Sequence, residues 1–217
     1  MKLCEKLDHL PTNDPMYVSV TGASKHYHSE GYVIRFFKSD SSSWVANFQP
    51  GATDLNQYFE YPTIRRVIVI AGGSGYIMST ESTEPIITFG DYINEILQLE
   101  DNSFIGCGNC ELIHFNETGI IWKSPRISWD DIKDLSIAGN IITGLSYDPL
   151  DSNIPWKPFT LNLENYNITG GSYRLYMDKN GYPVRRANYI KIIFWLILFA
   201  TAITSFYYSD IFKSLFP

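Results

Sequence analysis

The sequence predicts an all-β head of propeller-like or sandwich-like antiparallel sheets, followed by one C-terminal transmembrane α-helix. Three observations carry this. Short β-branched and aromatic runs recur along the chain, broken by turn residues about every 8–12 positions, the pattern of an all-β domain. Helical periodicity is nearly absent before residue 185. Residues 192–208 (IIFWLILFATAITSFYY) then hold 17 positions without a charge.

Taken in order, the first 20 residues mix Glu5, Asp8 and Asp14 with two prolines. No apolar run comes after the initial lysine, so they do not read as a secretory signal peptide. Strands are expected at 31–37 (GYVIRFF), 66–70 (RVIVI) and 85–89 (PIITF). The stretch 91–99 (DYINEILQL) is the one tolerable helix candidate, although its Ile93, Glu95, Leu97, Leu99 alternation suits a strand equally well. Further strands are expected at 110–115 (CELIHF), 119–123 (GIIWK), 140–146 (NIITGLS) and 158–163 (PFTLNL). A hairpin is expected at 173–184, because Asn180-Gly181 supplies the positive φ values a tight turn requires.

The head also echoes itself. Slid by 38 positions, LQLEDNSFIG (97–106) lies over LSIAGNIITG (135–144), with Leu, Asn and Gly matched. FNETGI (115–120) falls over LENYNI (163–168) after an insertion of about ten residues containing Asp148-Pro149 and Pro155. RVIVIAGGSGYIMS (66–79) aligns with the hairpin region around 103–115. Periods of roughly 35–50 residues with several strands per unit belong to propeller-like arrays. Counting 17–60 as a degenerate first unit gives four, the alternative being a sandwich or curled sheet.

The apolar run, extended by Tyr189, Ile190 and a snorkelling Lys191, reaches 20 residues. At about 1.5 Å per residue that spans the roughly 30 Å hydrocarbon core of a bilayer. Trp195 near one end and Tyr207 with Tyr208 at the other suit the two interfaces. Residues 1–178 carry 12 basic and 22 acidic groups, hence −10, whereas 179–191 adds +4 through Lys179, Arg185, Arg186 and Lys191. Cations on that flank place the head on the cytoplasmic side. The expected organisation is a head (1–178), a basic juxtamembrane neck (179–191), a span (192–208) and a short tail (209–217). The whole chain at −6 argues against a nucleic-acid partner.

Four segments carry a resemblance: IIWKSPRISWDDIKDL (120–135), GLSYDP (144–149), PWKPFTLNL (155–163) and TGGSY (169–173). Together they make residues 44–173 resemble a set of uncharacterised bacterial β-rich, propeller-like proteins. The resemblance implies a fold and no activity.

Chemical candidates are few. Ala71-Gly72-Gly73-Ser74-Gly75 comes directly after an apolar strand, but a phosphate cradle needs the glycines to open directly into a helix. The segment from Tyr76 onward is β-like, so a hairpin turn is expected. Cys107-Gly-Asn-Cys110 offers two thiols from one tight turn, which Cys4 and His9 can complete as a zinc set; reduced thiols filling β positions are the plainer alternative. His26, His28 and Glu30 share one face if extended. Asp130, Asp131 and Asp134 come just after Trp129. Paired carboxylates can divide acid and base work, and a turn between sheets explains the same residues without chemistry. No cofactor is expected. The function these features predict is a membrane-tethered head that binds a protein partner, a basic one, around Trp129, Asp130, Asp131 and Asp134. A hydrolase using that acidic turn, or a zinc module at Cys107 and Cys110, is the alternative.

Overall fold

Strand β6 (Arg66–Ala71) is apolar at every position after its arginine because both of its faces are covered. Val67, Val69 and Ala71 point into one buried cluster, and Ile68 and Ile70 into another. A half-exposed strand would alternate; a strand inside a stack of sheets reads as a continuous apolar run. The structure, a computed structural model, describes residues 2–13, 16–21 and 29–173, which fall in one compact unit, Met1–Leu175.

Among its described residues that unit is all-β, with four sheets of four strands. The first holds β1 (Cys4–Lys6), β2 (Tyr17–Val20), β3 (Tyr32–Phe37) and β4 (Ser43–Phe48), ordered β1-β3-β4-β2. The second holds β5 (Gln57–Tyr61), β6, β7 (Ser74–Ser79) and β8 (Ile87–Phe89). The third holds β9 (Glu95–Gln98), β10 (Phe104–Cys107), β11 (Leu112–Asn116) and β12 (Gly119–Lys123). The fourth holds β13 (Ile132–Ala138), β14 (Ile141–Tyr147), β15 (Trp156–Asn162) and β16 (Asn167–Gly170). The last three sheets are antiparallel meanders in sequence order. In the first, β2 is inserted out of order and runs parallel to β4. The repeat boundary expected at 17–60 is therefore corrected: the first unit includes β1 and ends at Phe48, and β5 opens the second.

Each sheet packs on the next. Phe36, Trp44 and Phe48 of the first sheet meet Val67, Val69 and Tyr76 of the second. Ile68, Ile70 and Ile77 meet Phe104 and Phe115 of the third. Ile105 and Leu112 meet Ile142, Phe159 and Leu161 of the fourth. Each buried aromatic or branched side chain contributes about 1.5–3 kcal/mol, so these three layers dominate stability. Polar ties cross them where backbone groups would otherwise be orphaned: Trp44 Nε1 donates to the Thr80 carbonyl at 2.9 Å and Tyr61 Oη to that of Asn102 at 2.9 Å.

The glycine pair 72–73 closes β6 and β7 as a two-residue turn, with φ of 54° and 85°. This is the hairpin expected there. The connections from one sheet to the next gather at the same end as the β6–β7, β10–β11 and β14–β15 turns and hydrogen-bond to them. Gly51 N–H donates to Ala71, Ile93 to Gly73, Asn94 to Cys107, Ile127 to Cys110 and Tyr147 to Asp131. This loop end positions the candidate site.

No helix among the described residues is long and apolar enough to cross a membrane. The hairpin at 178–181, the neck 179–191, the span 192–208 and the tail 209–217 lie outside the described residues. So do Arg185, Arg186, Lys191, Trp195, Tyr207, Tyr208 and the pair His26 and His28.

Candidate functional site

Three loops bring the site together. The β8–β9 connection supplies Tyr92, the β10–β11 turn supplies Cys110, and the β12–β13 connection supplies Arg126, Trp129 and Asp130. They surround a hollow of about 390 Å³. A second hollow of about 520 Å³ shares Gly90–Tyr92 and is lined by Pro50, Ser74 and Phe89, with Ser74 and Asp91 3.2 Å apart and Tyr76 Oη donating to the Gln49 carbonyl at 2.8 Å.

The β12–β13 connection is held rigidly. Ser128, fully buried, donates from Oγ to the Asp131 carbonyl at 2.6 Å and accepts the Tyr147 N–H at 3.0 Å. Ser172 Oγ donates to the Tyr147 carbonyl at 2.7 Å, and its N–H donates to Ser146 Oγ at 2.8 Å. Buried hydroxyls of this kind satisfy backbone groups that two crowded strand ends would leave unpaired. They also fix where the chain leaves the fourth sheet, because Tyr173 N–H donates to the Ile127 carbonyl at 3.0 Å.

Over this pin sits an aromatic and cationic cluster. The Trp129 and Tyr173 rings meet edge to face at 4.7 Å. The Arg126 guanidinium lies 4.8 Å above Tyr173 and 5.8 Å from Trp129. Its Nε and terminal nitrogen donate to the Ser128 and Trp129 carbonyls at 3.0 and 2.6 Å. Arg126 is thus committed to the loop's own backbone, and Asp130, exposed at the rim, is left to face outward.

The predicted acidic set is divided by the fold. Asp130 lines the hollow beside half-buried Trp129. Asp131 is half-buried, and its carboxylate accepts the Ile132 N–H at 2.8 Å. Asp134 lies on β13 with φ of 55°, where the register with β14 shifts. It stands near Glu95, whose carboxyl is raised above its ordinary value by burial first and by the Asp134 charge second. The cluster therefore forms two acidic points, one at the hollow and one on the β9–β13 side.

Cys107 is fully buried between the third and fourth sheets, its Sγ 3.6 Å from the Gly108 carbonyl. Burial pushes its thiol well up, with the Glu95 and Asp131 charges adding to the shift, so the thiolate a metal needs is disfavoured. Cys110 is half-buried, with Sγ 3.7 Å from the Trp129 carbonyl. Cys4 belongs to the core between the first and second sheets, and His9 pairs with Glu30 at 3.2 Å. Among the described residues no three His, Cys, Asp or Glu side chains converge to hold a metal.

Sequence reasoning did not single out Tyr92, Arg126 or Tyr173. Arg126 had a local signal, a cation three positions before Trp129. Tyr92 and Tyr173 had none, because only the stacking of the sheets brings them to Trp129. No protein-family model matches the chain, and no curated protein matches it either.

Proposed function

We propose that this chain is a membrane-tethered, propeller-like head that binds a basic protein partner at its loop end, beside the bilayer. The propeller-like reading is supported by four successive four-stranded sheets with a buried core between each neighbouring pair. The tether is supported by the uncharged run 192–208 and the cations before it.

The observation that carries the binding reading is the hollow of about 390 Å³ with Tyr92 and Trp129 in its wall and Asp130 at its edge. An aromatic pair in a concave site with charged groups around it is the usual make-up of an interaction anchor and its rim. Asp91, Glu111 and Asp130 outnumber Arg126 in the lining, so the net charge of the hollow is acidic. A head at −10 draws a basic partner by long-range attraction, which raises the association rate more than it deepens affinity.

The test is the combined variant Asp130→Asn, Asp131→Asn, Asp134→Asn. Asn preserves the acceptor at 131 and tolerates the left-handed backbone at 134, so the fold is expected to survive. Association with the partner is expected to slow by roughly tenfold or more at low salt and to lose most of its salt dependence. Salt-independent association of the wild type would remove the electrostatic basis, and loss of a turnover with binding intact would favour a hydrolase.

A further inference from the structure

We propose that the β14–β15 loop, residues 148–155, is a second membrane contact, dipping Leu150 and Ile154 into the headgroup–acyl boundary of the bilayer. This rests on the tether reading above and adds to it a contact made by the head itself.

The loop is an ordered projection with an apolar tip. Its base closes through the Asp148 N–H, which donates to the Pro155 carbonyl at 2.6 Å. Fully buried Asp148 accepts the Leu150 N–H at 3.0 Å. Asp151 accepts the N–H groups of Asn153 and Ile154 at 3.1 and 3.2 Å and pairs with Lys157 at 2.5 Å. Both carboxylates are therefore turned inward to hold the turn. The two aliphatic side chains are turned outward instead, Leu150 at 68% and Ile154 at 63% exposed. A loop that satisfies its polar groups internally and displays its apolar ones is built to meet a surface.

Behind the tip is a collar suited to headgroups. Tyr147 and Trp156 meet edge to face at 5.2 Å. Lys133 Nζ stands 4.0 Å over the Trp156 ring. An aliphatic tip with aromatic rings and a lysine one level up is the arrangement of an interfacial membrane contact. A protein-binding tip would be expected to use Trp, Tyr or Arg, since Leu is under-represented among binding hot spots.

The place where the described chain ends selects the bilayer as occupant. Ser172 is bonded to the Tyr147 carbonyl, the residue immediately before the loop, so the described chain ends at the loop's own root. Eighteen residues, 174–191, separate that point from Ile192, a reach of at most about 3.6 Å each. Two aliphatic side chains hold a membrane weakly alone, but on a tether this length the contact is intramolecular and its effective concentration high. The hollow at Tyr92 and Trp129 lies at the same end, which suits a partner that is itself at the membrane.

The experiment uses the full chain reconstituted into vesicles of phosphatidylcholine and phosphatidylglycerol. A Cys110→Ser background removes the half-buried thiol, while Cys4 and Cys107 are fully buried. An environment-sensitive fluorophore is attached at Leu150→Cys, at Ile154→Cys, or at Thr118→Cys, an exposed turn at the opposite end of the third sheet. Spin-labelled lipids are expected to quench the two loop positions at least about twofold more than Thr118, with blue-shifted emission. As a second measurement, Leu150→Asp with Ile154→Asp is expected to abolish the hydrogen-exchange protection of 148–157 that vesicles confer, with the chain still membrane-integrated. Equal quenching at all three positions overturns the proposal, as does protection of the loop only when a protein partner is added. A chain that alkaline carbonate strips from the vesicles overturns the tether as well, which distinguishes the two failures.

Discussion

His114 is the residue whose setting most constrains the molecule. It is buried in β11, with Nε2 2.8 Å from Ser103 Oγ and Nδ1 2.8 Å from Tyr166 Oη. Ser103 Oγ in turn donates to the Asp101 carboxylate at 2.6 Å. Tyr166, in the turn after β15, also stacks on Trp122 at 4.6 Å, so this chain of hydrogen bonds latches the fourth sheet onto the third. Burial lowers the His114 pKa below 6.5, partly opposed by the Asp101 charge. A histidine whose folded pKa is depressed is neutral in both states at higher pH and costs nothing there. As pH falls below the unfolded value the unfolded chain takes up the proton first, so stability is lost. Chemical denaturation from about pH 7 to pH 5 is expected to show this loss in the wild type and a flatter profile in His114→Gln. His114→Ala is expected to cost roughly 1–3 kcal/mol at pH 7, because Ser103 and Tyr166 lose their partner. An unchanged pH profile in His114→Gln would assign the titration elsewhere.

Among the elements, the first strand-turn-strand of the third and fourth sheets shows how the repeat works physically. Asn102 and Asn140, matched in the sequence echo, both fall in the turns between first and second strands. Gly106 and Gly144, also matched, both lie beneath a phenylalanine ring of the next strand, Phe115 and Phe159. A Cβ at Gly144 would stand 2.8 Å from both Phe159 and Leu135. Gly144→Val is accordingly expected to destabilise by about 1–3 kcal/mol, measured by urea unfolding, and a neutral result would mean that the core is looser than its packing. These elements were legible because each is a meander whose apolar spacing repeats. In the first sheet β3 was legible from the run at 31–37, but the repeat was not, since its strands run with different connectivity and β2 enters out of order, leaving nothing for a sequence shift to align. The strand at Glu95–Gln98 was ambiguous with a helix because four residues hold too little periodicity to decide. Of the candidate site, Trp129 and Asp130 were visible as an aromatic beside acids. The separation of Asp134 was not, because it depends on a positive-φ irregularity in β13.

At the scale of the whole molecule, an acidic stack of sheets stands before a basic segment and a long uncharged run, and the functional reading depends on that order. Both the hollow at Tyr92 and Trp129 and the apolar loop tip sit where the described chain leaves the fourth sheet, so a membrane at that end would give each its proposed surroundings. In the proposed tether the insertion free energy comes from the apolar residues 189–208; two side chains at a loop tip cannot replace it. The most direct test is partition after alkaline carbonate extraction of cells expressing either the full chain or a chain ending at Asn188. The full chain is expected in the membrane pellet and the shortened chain in the supernatant. Release of the full chain by carbonate would contradict the tether, and with it the account of what this head is for.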